Sequence, residues 1–217
     1  MTADQGIYHF AEGDSVDVAW QEAYYVWLQD RMGVELSRRL EYFKYRDRAH
    51  MRWATDRETN GWADVGTYRF HTIWPTDNHE AVHALVSAEL TPAPPLVNEG
   101  IAVAHRIFPA DEIFEARWNG TALDDWARTF RSEGRIPPLE ELLRGPDFFR
   151  FDTEMTYPMA GSFVKSVIEA HGYGPIRAFF RASTFEDSPS AFRASFQDAF
   201  GETLDAAWAR WLERLGS

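Results

Sequence analysis

The chain has 217 residues, no cysteine, and 34 acidic against 22 basic side chains, for a formal net charge of −12. Without cysteine there is neither a disulfide framework nor a thiolate metal site, and the acidic balance disfavours nucleic acid and anionic membrane surfaces as partners. Nine Trp and sixteen Phe argue for a well-packed domain over a disordered chain, and no apolar stretch approaches a membrane span.

Apolar residues at helical spacing, among them Val18, Ala19, Ala23, Tyr24, Trp27 and Leu28, predict a helix over 16–32 that Gly33 stops. Residues 40–53 are aromatic-rich and partly alternating, and read as a strand or strand pair. The acidic charge makes these aromatics core residues rather than a stacking platform for single-stranded nucleic acid. Thr59, Asn60 and Gly61 mark a turn, and residues 66–74 read as a further strand closed by Pro75.

Thr76, Asp77 and Asn78 then supply helix-start residues directly before His79-Glu80-Ala81-Val82-His83, an H-E-x-x-H run. On a helix, positions i and i+4 share one face, so His79 and His83 can reach one metal ion. Glu80 can reach a water at an open corner without filling a coordination position. Val82, Leu85, Val86 and Leu90 give the helix an apolar side, and Pro92 to Pro95 end it. A second helix opens with Leu96-Val97-Asn98-Glu99-Gly100, which makes Glu99 the candidate third ligand. Its rival, Glu89, lies six residues after His83. The position midway is Val86 instead of the Gly that a tight turn would need, so Glu89 falls too far along a continuing helix.

Trp118, Asn119 and Gly120 form a predicted turn. Thr121 is the expected cap of a helix through Phe130, Gly134 its stop, and a short helix follows over 137–143. Helices over 159–170, 175–182, 190–200 and 203–215 complete the chain, with Trp208 and Trp211 at packing positions. The expected fold class is α+β, in one domain: an N-terminal helix and a small, mostly antiparallel sheet (1–75), the metal-binding helices (76–107), and a helical part (108–217). The stretch 107–156 reads either as a lid over the site or as a brace behind it. His9, His50 and His105 have no partner pattern and read as structural or solvated. His71 reads as an imidazole at the sheet surface, with a place in the cleft as the weaker alternative.

The H-E-x-x-H run together with Asn98-Glu99-Gly100-Ile101-Ala102 resembles the gluzincins, particularly the small peptidase MA-like proteins. The likeness spans about residues 35–215. It includes Tyr157-Pro158-Met159-Ala160-Gly161, similar to a helix start of that family, the turn at Ala170-His171-Gly172, and a terminal helix after Phe200-Gly201-Glu202. It implies a zincin-like fold with Zn2+ held by His79, His83 and Glu99, and Glu80 as general base. It also implies that a strand before the metal-binding helix forms the edge of the active-site cleft. Tyr157 is the candidate second oxyanion donor, or else a packing residue between helices. Two positions depart from the thermolysin-like pattern: Val103 stands where an Asp supports a zinc-bound His, and there is no matching downstream His, His171 reading as a helix C-terminus.

The resemblance implies a zinc metallopeptidase acting on a peptide or protein substrate. Zinc-assisted hydrolysis of a non-peptide amide or ester is the nearest alternative, and a catalytically silent zincin-fold binding module is a third. Residues 1–14 hold no apolar signal core. The expected location is cytoplasmic if Met1 is the native start, and secreted or periplasmic if a leader has been removed.

Overall fold

A computed structural model describes residues 1–107 and 116–216, and its contacts gather into two units, Met1–Leu90 and Thr91–Ser217. The division falls between the two predicted metal-binding helices. The class is α+β, with about 56% helix and a small mixed sheet.

Unit one runs β1 (Gly6–His9), α1 (Val18–Met32), β2 (Leu40–Lys44), α2 (Arg48–Thr55), β3 (Gly61–Asp64), β4 (Arg69–Thr72) and α3 (Asn78–Glu89). The strand order is β1-β2-β4-β3, with β1, β2 and β4 parallel and only β3 antiparallel to its neighbour. The expectation of a mostly antiparallel sheet is therefore corrected. A helix separates β1 from β2 and another separates β2 from the β3–β4 pair, so the chain returns before each parallel pairing; a tight turn joins β3 to β4 alone. Residues 40–53 likewise divide into β2 and α2. Asp47 accepts the His50 N–H as an N-cap and Met51 is fully buried, so the aromatic run turns helical after Lys44.

Register sets the two faces of the sheet one residue apart. Tyr8, Tyr42 and Phe70 lie opposite one another and are all buried, Tyr42 and Phe70 meeting edge to face at 4.8 Å. The next register places His9, Phe43, His71 and Trp62 in a stacked row on the opposite face, with centroids 4.2, 4.9 and 4.1 Å apart. Helix α3 packs against β2, β3, β4 and α1 through Ala81, Val82, Ala84, Leu85 and Val86.

Unit two begins with α4 (Pro95–Ala104), followed by the β5–β6 hairpin (Arg117–Trp118, Thr121–Ala122) and α5 (Leu123–Ser132). Then come α6 (Leu139–Leu142), α7 (Gly145–Phe148), α8 (Thr153–His171), α9 (Tyr173–Ala182), α10 (Pro189–Phe200) and α11 (Leu204–Leu215). Thr121 belongs to β6 and does not cap α5, whose N-cap position is Ala122. Helix α8 starts six residues before the expected 159, because Asp152 caps it by accepting the Glu154 N–H, and Pro158 lies inside it. Part of the stretch 107–156, residues 108–115, lies outside the described residues. Its α5 braces unit two: Asp124 accepts from Ser162 Oγ at 2.6 Å and Lys165 Nζ at 3.0 Å on α8.

Helices α4 and α8 approach closely because each presents a glycine. A Cβ on Gly100 would stand 2.5 Å from Val164 Cγ2 and 2.7 Å from the Ala160 carbonyl oxygen; one on Gly161 would stand 2.6 Å from Val103 Cγ1. The Ala160 oxygen is backbone and cannot rotate away. Gly100→Ala is expected to cost about 1–3 kcal/mol as overpacking, lowering Tm by roughly 2–4 °C per kcal/mol. Thermal melts check this; an unchanged Tm would contradict the crossing.

Candidate metal centre

Helix α3 begins where the local chemistry requires. Asp77, the N-cap, accepts the Glu80 N–H at 3.0 Å. In a capping box the residue three positions on would return a side-chain bond to the cap N–H. That residue is Glu80, but the Asp77 N–H donates instead to Gln21 Oε1 at 3.1 Å. Gln21 Nε2 donates to the Asp77 carbonyl at 3.2 Å, and Tyr24 Oη to the Asn78 carbonyl at 3.3 Å. The incoming segment is also tied: the Asp17 N–H donates to the Pro75 carbonyl at 3.0 Å and Tyr42 Oη to the Trp74 carbonyl at 2.7 Å. Fully buried Gln21 thus completes a cap that Glu80 would otherwise complete. Sequence reasoning passed over it, as a polar residue among the apolar positions of α1.

His79 and His83 stand one turn apart with their Nε2 atoms 3.1 Å from each other and their rings nearly perpendicular. Both are half-buried. Glu99, on α4, is buried at 7% exposure, where a carboxylate needs cations or donors nearby. Unit one holds the two histidines and unit two holds Glu99. Two imidazoles on one tetrahedral ion, each at about 2.0–2.1 Å, would hold their nitrogens about 3.3–3.4 Å apart. The 3.1 Å spacing of the histidine pair lies close to that value, and imidazole and carboxylate are ligand types that zinc accepts.

Glu89 is engaged elsewhere, accepting the Ser37 hydroxyl at 3.0 Å and the Ser37 N–H. The half-buried Glu80 side chain lies against β3. An ideal Cβ on Gly61 would come 2.9 Å from Glu80 Cγ and 3.1 Å from its Oε1. The strand leading into α3, β4, is interior to the sheet, and β3, which precedes it in the chain, is one of the two edge strands.

Tyr157 lies in the second turn of α8, half-buried against the cluster of Val103, Ala116, Trp118 and Leu123, with Trp118 edge-on at 5.6 Å and Phe148 roughly parallel at 6.4 Å. Val103, where the thermolysin-like pattern has an Asp, is a packing residue in that cluster.

The remaining histidines have structural partners. His71 sits in the stacked row on the opposite sheet face, its Nδ1 2.9 Å from Tyr45 Oη and its Nε2 3.4 Å from Asp64. Burial, partly opposed by Asp64, lowers its pKa. His105 pairs with the Ile101 carbonyl and Tyr173 Oη, and His171 with Glu202 at 2.7 Å. His50 accepts the Arg46 N–H, and His9 stacks on Phe43.

Gln21→Leu keeps the volume and strands the Asp77 N–H and carbonyl. It is expected to cost about 1–3 kcal/mol for the buried groups left unmade and to speed amide exchange at Asp77 and Glu80. Denaturant melts and hydrogen exchange check this; unchanged exchange at those two amides would contradict the role.

No family model matches the chain, and no curated protein or solved structure matches it significantly.

Proposed function

We propose that the chain is a zinc-dependent peptidase in which His79, His83 and Glu99 hold the ion and Glu80 moves the proton. The observation that carries this reading is the approach of the His79 and His83 Nε2 atoms to 3.1 Å on one face of α3, with Glu80 next to the first imidazole in sequence. When bound, zinc supplies a Lewis acid that polarises a carbonyl and brings the pKa of water down towards about 7. Glu80 accepts a proton from the attacking water and passes it to the departing amine.

The edge position of β3 favours a peptide over a smaller amide or ester. The Ile73 N–H donates to the Asn60 carbonyl, and in an antiparallel pair such bonds alternate along the strand. The main-chain groups of Gly61 and Ala63 therefore point away from β4, and among the described residues no strand pairs with β3 on that side. An extended peptide can add there by main-chain hydrogen bonds, which would lay it beside Glu80. Tyr157, held between Trp118 and Phe148, is the candidate second donor to the oxyanion.

Two outcomes follow. The purified chain is expected to take up one zinc per molecule, and His83→Ala or Glu99→Ala to weaken binding at least about 100-fold, measured by competition with a chromophoric chelator. Glu99→Ala with undiminished affinity would remove Glu99 from the ligand set. Chelator should abolish cleavage of a broad peptide library, and Glu80→Gln should keep the ion while lowering turnover about 10²–10⁴-fold. Near-normal turnover in that variant would refute the proton-transfer role.

A further inference from the structure

We infer that Gly61 is a positioning residue for Glu80: its missing side chain is the space that lets the Glu80 carboxylate rest on the edge strand. Glycine in a strand interior weakens the strand and marks a bulge, a bend or a close approach. Gly61 lies outside the left-handed region that would demand glycine for conformation alone. Close approach is what remains, and the atoms that a Cβ would meet are Glu80 Cγ at 2.9 Å, the His71 carbonyl oxygen at 3.0 Å and Glu80 Oε1 at 3.1 Å. Two of these three belong to one side chain, the glutamate of the H-E-x-x-H run.

The arrangement has a second half. At the third helical position after Asp77, Glu80 would ordinarily fold back to the cap N–H. Gln21 occupies that N–H, so the helix start does not require the Glu80 carboxylate. Gln21 fills the place that the glutamate takes in a capping box, and Gly61 gives the glutamate room against β3. The main-chain groups of Gly61 face outward from the sheet, so the carboxylate stands beside the strand edge that an added peptide would use. An alanine at 61 would push the flexible end of Glu80 off this position, while the His71 carbonyl, part of the backbone, would yield little.

The catalytic consequence rests on the peptidase reading; the placement of Glu80 does not. A double-mutant cycle in metal-free protein tests the placement. Thermal melts compare Gly61→Ala in the parent chain and in a Glu80→Ala background, where the side-chain part of the clash is gone. The Tm change caused by Gly61→Ala should be less favourable in the parent chain by roughly 2–4 °C, the shift that corresponds to about 1 kcal/mol in a chain of this size. Equal changes in the two backgrounds overturn the inference.

In zinc-loaded protein, Gly61→Ala should lower kcat about 10-fold or more, as small misplacements of reacting groups do, with KM and zinc affinity within about threefold of the parent. Turnover within twofold of the parent overturns it too. A parent chain that cleaves no peptide would sink the peptidase reading, while the melts would still decide where Glu80 is held.

Discussion

The paired hydrogen bonds between Gln21 and the Asp77 backbone determine where the candidate site can be. A helix N-terminus leaves four N–H groups unbonded, and buried ones must find partners. In α3 the Asp77 carboxylate accepts one of them, while Gln21, reaching from α1, bonds both main-chain groups of Asp77 itself. With Tyr42 and the Asp17 N–H holding the preceding segment, the first turn of α3 has little freedom to rotate or slide against the sheet. His79 and Glu80 occupy that first turn and His83 the next. The direction in which two imidazoles and a carboxylate point is therefore decided by a buried amide on another helix.

Glycines give the same architecture its close approaches. Gly61 admits a glutamate side chain to the edge strand, whereas Gly100 and Gly161 admit one helix to another. Gly100 follows Glu99 directly, so the residue that allows α4 to settle on α8 adjoins the buried carboxylate. Positioning and packing meet at that point: a change that lifts α4 from α8 would move the carboxylate with it. Val103, one turn after Glu99, fills the facing side of Gly161 and belongs to the apolar cluster around Trp118.

Much of the site was legible in the amino-acid order because it is local. The i, i+4 spacing of His79 and His83, the Asp77 cap and the prolines before α4 act over a few residues, and α3 and α4 lie within a residue or two of where those signals put them. Parallel pairing of β1, β2 and β4 was not legible, since strand direction depends on the path of the intervening chain and leaves no period in the sequence. Helix α2 was hidden because His50, Met51 and Trp53 resemble strand residues until the Asp47 cap is seen. The start of α8 was obscured by Pro158, which reads as an opening residue although the helix continues through it. Gln21 and Gly61 carried only faint signals, a polar residue in an apolar helix and a glycine that passed for part of a turn. Both act on residues distant in the chain.

X-ray absorption at the zinc edge tests the central claim most directly. The account predicts a low-coordinate shell of nitrogen and oxygen scatterers at about 2.0–2.1 Å with the outer-shell pattern of two imidazoles, and loss of one imidazole contribution in His83→Ala. A shell of oxygens alone, or a spectrum unchanged by that substitution, would contradict it.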